Sequence, residues 1–293
     1  MAKQIFSSTP DLSTDAAFRA WGSALSTALQ ALFTKVTQTG EVNWSTVSKP
    51  ATSGASAGFE VYRFNDSMQA TAPVFFKVEY GAFAGGTIRP CMWMTVGKGA
   101  DGSGNITGVL FARSVIAGGN YVWTAIPQNS YIGSGDGSCL VMSVWPSDSA
   151  SQSGAGQAFA LERSRDDNGN PTGAGLFWSR STDGNYHTVE TIDYTAMTKS
   201  TASFGCIPIP YPTASGVGLS NGINTPVFTG SCLTTQREAW VPTALLGAAR
   251  ADFGIAVVAT AIYNGIDYLA LGAAASYGDM AKQQYSSVMI RWD

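Results

Sequence analysis

Apolar residues recur every three or four positions in one early segment, which predicts a helix with a single apolar face. The positions that share this face are Phe18, Trp21, Leu25, Ala28, Leu29 and Leu32. Thr14 supplies an N-cap oxygen and Asp15 places an anion in the first turn, where it suits the helix dipole. The polar run after Lys35 ends the pattern, so we predict a helix over residues 14–35. Gly22 lowers helix propensity by about 1 kcal/mol relative to alanine, and its presence therefore predicts close packing at that point.

Most of the remaining chain alternates apolar and polar residues with the period of two that is typical of strands. Turn clusters rich in Gly, Asp and Asn separate these segments every roughly ten to fifteen residues, and SYIGSGDG at 130–137 is one of them. The predicted strands are 58–64, 73–81, 91–97, 108–115, 121–126, 139–145, 157–165, 175–181, 186–194, 204–209, 237–242, 253–263, 267–273 and 286–292. Long β-α-β crossovers are missing from the pattern, which disfavours a doubly wound nucleotide-binding fold. The sequence predicts a mainly β protein, an antiparallel β-sandwich or jelly-roll-like body preceded by one amphipathic helix.

The pattern favours a single domain over residues 1–293, because no long linker divides the chain cleanly. The polar segment 146–156 is the best alternative boundary between two subdomains, although a long surface loop explains it equally well. The segment 207–226 contains four prolines and predicts extended coil wrapped over the body.

Composition argues against two classes of binding partner, nucleic acids and membranes. Only 13% of the 293 residues are charged and the formal net charge is −3, so no basic surplus is available to neutralise nucleic-acid phosphates. The hydrophobic share of 45% is too high for an intrinsically disordered chain. The longest apolar stretches, 253–261 and 269–275, are far shorter than the ~20 residues that span a bilayer. The first residues lack the apolar core of a signal peptide. We therefore expect neither a nucleic-acid nor a membrane partner.

Cysteine and histidine usage argues against metal and cofactor chemistry. The four cysteines, Cys91, Cys139, Cys206 and Cys232, form no Cys-x-x-Cys pair and are best explained as buried free thiols in a reducing cytosol. The single histidine, His187, has no tightly spaced companion ligands for zinc. A nucleophile elbow that would complete a Ser-His-Asp triad is also missing. We expect no catalytic residue, no metal and no cofactor.

Two Asp- and Gly-rich loops, 101–105 and 166–170, superficially resemble calcium loops. An EF-hand requires a bidentate Glu at the twelfth position between two helices. The twelfth positions here are Ala112 and Phe177, and strands are predicted on both sides. Hairpin turns are the better interpretation, and a structural calcium held partly by backbone carbonyls is the alternative.

Carboxylates suited to glycoside hydrolysis cluster in one region, at Glu162, Asp166, Asp183, Glu190 and Asp193. Sequence spacing alone does not show two of them facing one another across a cleft, as that reaction requires. Because Glu162 adjoins Arg163 and Arg165, we predict a solvated, charge-paired strand face and no enzyme.

A set of motifs in the first part of the chain carries a resemblance. It comprises TDxxFRxWGS from Thr14, VTQTGEVNW from Val36, GFEVYRFND from Gly58, QATAPV from Gln69, KVEYG from Lys77, TVGKGADGSG from Thr95 and the closing MIRWD. Together these resemble virion structural proteins of tailed bacteriophages, which are encoded among tail and baseplate genes. The resemblance covers about residues 1–110 and, more loosely, the C-terminus, and it includes no catalytic pattern.

The resemblance implies a structural subunit of a virion, in the tail, baseplate or neck or associated with the capsid. Its partners would be copies of itself and other virion proteins, and it would fold in the cytoplasm of the bacterial host. The apolar helix face either caps the β body or meets a neighbouring subunit, and the candidate interface residues are Phe18, Trp21, Leu25, Leu29 and Leu32. A structural subunit should bury large apolar patches between copies.

The alternative function is a receptor- or glycan-binding module of the phage tail with a host-surface glycan as partner. Such a module should expose Trp or Tyr beside Asp or Asn at one end of the sandwich, around Tyr131 or 178–186. A hydrolase should instead show two carboxylates ~5–10 Å apart in a cleft.

Overall fold

The computed structural model describes the backbone of residues 2–8, 14–52, 54–84, 88–117, 128–134, 137–146, 157–166, 168–180, 187–201, 203–209, 214–216, 223–229, 239–240, 245–248, 258–263, 266–271 and 288–291. Side chains are described for residues 14–52, 54–82, 91–114, 137–140, 159–166, 168–177 and 190–200. The predicted strand 121–126 lies outside the described residues.

Strands dominate the described part of the chain. One helix, α1, spans Asp15–Leu32, and a one-turn 3-10 helix spans Ser67–Ala70. The strands are β1 (Ala2–Ser8), β2 (Thr34–Lys35), β3 (Ser56–Arg63), β4 (Phe75–Ala84), β5 (Ile88–Ala100), β6 (Ile106–Ala117), β7 (Gln128–Ser134), β8 (Cys139–Pro146), β9 (Gln157–Arg165), β10 (Pro171–Arg180), β11 (His187–Asp193), β12 (Thr198–Thr201), β13 (Ser203–Ile209), β14 (Ala214–Gly216), β15 (Ile223–Thr229), β16 (Ala239–Trp240), β17 (Leu245–Ala248), β18 (Val258–Tyr263), β19 (Ile266–Leu271) and β20 (Val288–Arg291).

These strands form three antiparallel sheets. The first sheet has the order β2-β3-β4-β5-β6, and the second has the order β1-β7-β8-β9-β10-β11-β12. The third has the order β13-β15-β17-β20-β19-β18-β14, with β16 paired to β15. Neighbours in the first sheet are also neighbours in sequence, as they are from β7 to β12, because short turns connect antiparallel strands. The predicted mainly β fold with one N-terminal helix is confirmed.

Local signals explain where α1 begins and ends. The Thr14 hydroxyl accepts a hydrogen bond from the Ala17 N–H at 3.1 Å, as an N-cap does. The helix ends at Leu32, three residues before the predicted end, because Phe33 is extended and Thr34 already pairs with Arg63 in the first sheet. The β-branched Thr34 favours the strand over another turn of helix.

The main core lies between α1 and one face of the first sheet. Phe18, Leu25 and Leu29 on the helix and Phe76 and Tyr80 on the sheet have no more than 2% of their surface exposed. Gly22 permits this close approach, since a Cβ there would overlap the ring of Trp44. The close packing predicted at Gly22 is confirmed.

The first sheet curls back on itself at the β5–β6 hairpin. The Thr39 N–H donates to the Gly102 carbonyl at 2.8 Å, and the Gly104 N–H donates to Gln38 Oε1 at 3.1 Å. Gly104, at φ +84°, lies directly against the Phe59 ring, so a side chain there would meet both a strained backbone and a filled space.

The second sheet shares this core. The ring centroids of Phe111 in β6 and Phe177 in β10 lie 4.6 Å apart. The same buried cluster includes Leu161 and Ile192 of the second sheet. The Asn65 N–H after β3 donates to the Gly137 carbonyl before β8 at 2.9 Å. The two sheets are therefore joined by both apolar packing and backbone hydrogen bonds.

Two expectations about secondary structure are corrected, and one strand pairing bears on the predicted subdomain boundary. Residues 130–137, predicted as a turn cluster, belong largely to β7, and residues 223–226, predicted as coil, belong to β15. Their Gly and Pro residues are typical of turns and coil. The backbone nevertheless forms strands because β7 pairs with β8 and β15 pairs with β13. Segment 147–156 lies outside the described residues, but β8 and β9 on either side of it are paired neighbours. The chain therefore stays in one sheet across the proposed subdomain boundary.

Candidate functional site

The helix face predicted as a subunit interface is occupied by the chain's own first sheet. The exposed fraction is 6% or less for each of the five candidates, Phe18, Trp21, Leu25, Leu29 and Leu32. Their partners are aromatic: the Trp21 and Tyr80 rings meet edge to face at 6.3 Å. Of the two roles weighed for this face, it caps the β body, and the intersubunit role is corrected.

A buried carboxylate lies beside the same helix. Glu60 in β3 is 1% exposed and both its oxygens are fully engaged. Its Oε1 accepts from the Ser26 hydroxyl and from Lys35 Nζ, each at 2.8 Å. Its Oε2 accepts from the hydroxyls of Tyr62 at 2.8 Å and Tyr80 at 2.7 Å. We call Ser26, Lys35, Glu60, Tyr62 and Tyr80 the Glu60 cluster.

The Glu60 cluster is electrostatically stabilised in its charged form. Burial raises the pKa of Glu60, but the hydrogen bonds from Lys35, Tyr80, Ser26 and Tyr62 outweigh it and leave the pKa below its usual value. Burial lowers the pKa of Lys35, and its contacts with Glu60 and Glu41 reverse this and raise it. Burial also raises the pKa values of Tyr62 and Tyr80. A base with a lowered pKa and four donors is a poor proton acceptor, so the cluster joins helix to sheet and is not organised for proton transfer.

A buried guanidinium joins the first and second sheets. Arg163 in β9 is fully buried, and its Nε donates to Asp66 Oδ2 at 2.7 Å. Its Nη1 donates to the Thr172 carbonyl at 3.1 Å, and its Nη2 donates to the Ala72 carbonyl at 2.9 Å. The guanidinium carbon lies 5.1 Å from the centre of the Tyr194 ring. Nε and Nη2 thus hold the turn after β3, while Nη1 bonds to β10, so the guanidinium joins that turn to the second sheet.

The solvated strand face predicted around Glu162 is wrong, because Glu162 and Arg163 are 2% and 0% exposed. Both faces of the second sheet are covered at this point. Glu162 lies opposite Leu176, which lies opposite Thr191, whereas Glu190 lies opposite Phe177. Glu162 and Glu190 therefore point to opposite faces of the sheet and do not form a catalytic pair.

The other carboxylates of that region have structural partners. Glu190 pairs with Lys199 at 2.8 Å, and Asp193 accepts from the Thr195 and Ala196 N–H groups at 2.9 Å each. Asp183 lies outside the described residues.

The two loops weighed as calcium sites are turns with the same internal hydrogen bonds. Asp101 Oδ1 accepts from the N–H groups of Ser103 and Asn105 at 2.8 and 3.1 Å, and Oδ2 accepts from the Asn105 side chain at 2.7 Å. Asp166 Oδ1 accepts from the N–H groups of Asn168 and Asn170 at 2.9 and 2.8 Å, and Oδ2 accepts from the Asn170 side chain at 3.1 Å. N–H donors therefore occupy the oxygens that a cation would need.

The remaining candidates are partly described. Cys91 and Cys139 are buried free thiols, as predicted, and burial raises the pKa of Cys91 to about 12. The side chains of Cys206, Cys232 and His187 lie outside the described residues. So do the side chains of Tyr131 and of residues 178–186, which were expected to bear a glycan site. Among the described side chains no group of three or more His, Cys, Asp or Glu is placed to hold a metal ion. No described helix is long and apolar enough to cross a membrane.

The chain matches no protein-family model, no curated protein and no solved structure.

Sequence reasoning missed the two polar centres, the Glu60 cluster and Arg163. A signal for the first exists in the period of two, which places Glu60 on the same face as Tyr62 and Phe64. A lone polar residue between the apolar Phe59 and Val61 is nevertheless typical of a solvent-facing strand position. For Arg163 no local signal exists, because two of its three acceptors, Asp66 and Ala72, lie in the turn after β3 and are far from it in sequence.

Proposed function

We propose that the chain is a structural subunit of a tailed-phage virion, in the tail, baseplate or neck or associated with the capsid, and that it acts through protein–protein assembly contacts. The observation that carries this proposal is that the described acidic side chains weighed for chemistry all accept hydrogen bonds or form ion pairs within the fold. Glu60 has four donors, Asp66 neutralises a buried arginine, and Asp101 and Asp166 each close a turn.

The resemblance to virion structural proteins adds support, because the residues that carry it build one body. The motif from Thr14 forms the cap and apolar face of α1, and the motif from Gly58 forms β3 with Glu60 at its centre. The motif from Thr95 forms the curled β5–β6 hairpin. Residues that resemble the family are thus packing and turn residues, as expected for a protein whose function is to hold shape.

Two measurements on the full chain test this proposal. Light scattering of the purified protein gives its mass, and immunogold labelling of particles from a phage that encodes the chain gives its position. We expect defined oligomers and a label at one fixed place on each particle, with antibody pre-absorbed on the purified chain as the control. A monomer at all concentrations together with unlabelled particles would overturn the proposal. Binding of that monomer on a glycan array would favour the glycan-binding module instead.

A further inference from the structure

The described surface offers little apolar area for packing between copies. Val109, at 53% exposure, is the one exposed large hydrophobic residue among the described side chains. Contacts through large apolar patches, which the sequence led us to expect of a structural subunit, find no support in this part of the chain. Sheet edges are the other means of association, because their unpaired backbone groups accept a strand from another chain.

The edges of the first and second sheets differ in how well they suit strand addition. β6, at the edge of the first sheet, has three register shifts against β5, and such irregularities blunt an edge. β12, at one edge of the second sheet, is four residues long. At the opposite edge, all seven residues of β1 pair with β7 without a register shift. This is the longest regular pairing at an edge of these two sheets.

The connection of β1 to the rest of the chain suits exchange between copies. No hairpin joins β1 to β7, since α1 and the whole first sheet lie between them in sequence. The link from β1 to Thr14, the N-cap of α1, is the short segment 9–13, TPDLS, which contains Pro10. Short hinge segments invite exchange of the element that they carry. Five residues extend at most about 17 Å, which keeps exchanged copies close together.

We propose that β1 of one copy pairs with β7 of a neighbouring copy, so that strand exchange joins the subunits. This inference rests on the proposed structural function and names its partner, a second copy of this chain. Exchange reproduces the same register and the same backbone hydrogen bonds between β1 and β7. The balance between closed and exchanged forms therefore depends on segment 9–13 and on protein concentration, which is high where many copies assemble.

Disulfide trapping distinguishes the two forms. Ser7 and Asn129 are directly opposed in the β1–β7 register. Opposed residues of antiparallel strands have Cα atoms about 4.5–5.5 Å apart, within the range that a disulfide bridges. Full-length S7C and N129C chains carrying different tags are co-expressed, purified as the mixed protein and oxidised. We expect a covalent dimer that contains both tags and disappears on reduction.

A matched control uses S134C in place of N129C. Ser134 pairs with Ala2, five residues along β7 from Asn129, so its Cα is about 17 Å from the position opposite Ser7. S7C with S134C should therefore give no mixed-tag dimer, and the four native cysteines are the same in both experiments. A dimer of equal yield in the control would show nonspecific oxidation and overturn the assignment.

The double variant S7C/N129C separates failure of this inference from failure of the proposed function. Strand exchange predicts covalent oligomers of the double variant. A purely intrachain disulfide in a protein that light scattering shows to be oligomeric overturns strand exchange and leaves the structural function standing. A protein that stays monomeric and does not label the particle overturns both. Absence of any disulfide, within or between chains, shows that β1 and β7 do not pair and also overturns the inference.

Discussion

Two buried tyrosines of the core differ in what their hydroxyls contact. The Tyr62 hydroxyl donates to Glu60 Oε2 at 2.8 Å, whereas the buried Tyr194 hydroxyl has no hydrogen-bond partner in the described part of the chain. Tyr194 is held instead by its ring, which lies under the Arg163 guanidinium. A buried hydroxyl stabilises the fold only when it has a hydrogen-bond partner. Replacing each tyrosine by phenylalanine should therefore change the free energy of unfolding differently.

We predict that Tyr62→Phe lowers the free energy of unfolding by about 1–3 kcal/mol, because it leaves a buried carboxylate short of a donor. Tyr194→Phe removes an unsatisfied polar atom and should leave stability unchanged or raise it by up to about 1 kcal/mol. Urea unfolding followed by tryptophan fluorescence measures both. Equal losses in the two variants would contradict the assignment of the Glu60 cluster.

Gly22 provides a second test at the residue scale. Alanine at this position gains about 1 kcal/mol of helix propensity but must displace the Trp44 ring, which packs against Phe18 and Tyr80. Overpacking of this kind costs about 1–3 kcal/mol, so we expect Gly22→Ala to be destabilising. The neighbouring Ser23→Ala, at a less buried position, is the control and should be neutral or slightly stabilising. A gain in urea midpoint for Gly22→Ala would show that α1 and Trp44 are not in close contact.

At the scale of elements, Arg163 is the main polar connection between the first and second sheets. Lysine keeps the charge but has a single ammonium, which cannot reach Asp66, Thr172 and Ala72 together. We predict that Arg163→Lys costs about 2–5 kcal/mol, because it leaves one or two buried acceptors without a donor at about 1–3 kcal/mol each. Arg165→Lys, at a half-buried position two residues on, should cost about 1 kcal/mol. Thermal unfolding compares them, and similar losses would refute a special role for Arg163.

The paired turns at 101–105 and 166–170 allow backbone strain to be separated from packing. Gly104 and Gly169 have nearly the same φ, +84° and +82°, but Gly104 lies against Phe59 while nothing lies within 4 Å of a Cβ at Gly169. We predict that Gly169→Ala costs about 1–2 kcal/mol from the left-handed backbone alone. Gly104→Ala should cost more, since it also displaces the Phe59 ring. The urea midpoints of the two variants measure the difference. A smaller loss of stability in Gly104→Ala than in Gly169→Ala would mean that the hairpin does not pack on Phe59.

At the scale of the whole molecule, the shifted pKa values set the pH range of stability. Glu60 has a lowered pKa in the folded state, so its contribution is complete above its ordinary value of 4.5 and is lost as pH falls further. Lys35, Tyr62 and Tyr80 have raised pKa values, so their contributions are complete below about pH 10 and are lost as pH rises. We predict a plateau in the free energy of unfolding between these limits.

Glu60→Gln should flatten the acid limb of that curve and lower the plateau by about 1–3 kcal/mol. Glu190→Gln, in the more exposed pair with Lys199, is the control and should change the plateau by less than about 1 kcal/mol. Urea titrations at a series of pH values measure both effects. An unchanged acid limb in Glu60→Gln would show that this carboxylate is not charged in the folded protein.

Local patterns predicted the elements that local signals determine. The strand predicted over 157–165 coincides with β9, and Val74, Phe76 and Val78 face the core as their alternation indicates. β1 and β7 escaped prediction because their pairing depends on residues far apart in sequence, and the glycines and serines of β7 are typical of turns. The burial of Glu60 and Arg163 likewise depends on donors and acceptors from other elements. Polarity alone assigned them to the surface.

The position of β1 also has a consequence for timing during synthesis. β1 is translated before roughly 120 residues that separate it from β7, and translation at 5–20 residues per second takes about 6–24 s to cover that distance. Helix α1 and the first sheet have short-range connections and can form within that interval, because local contacts form fastest. β1 thus leaves the ribosome before the other described strands and waits longest for its partner. During that delay, chains growing side by side on one messenger RNA have their first strands and unfilled sheet edges within reach of one another.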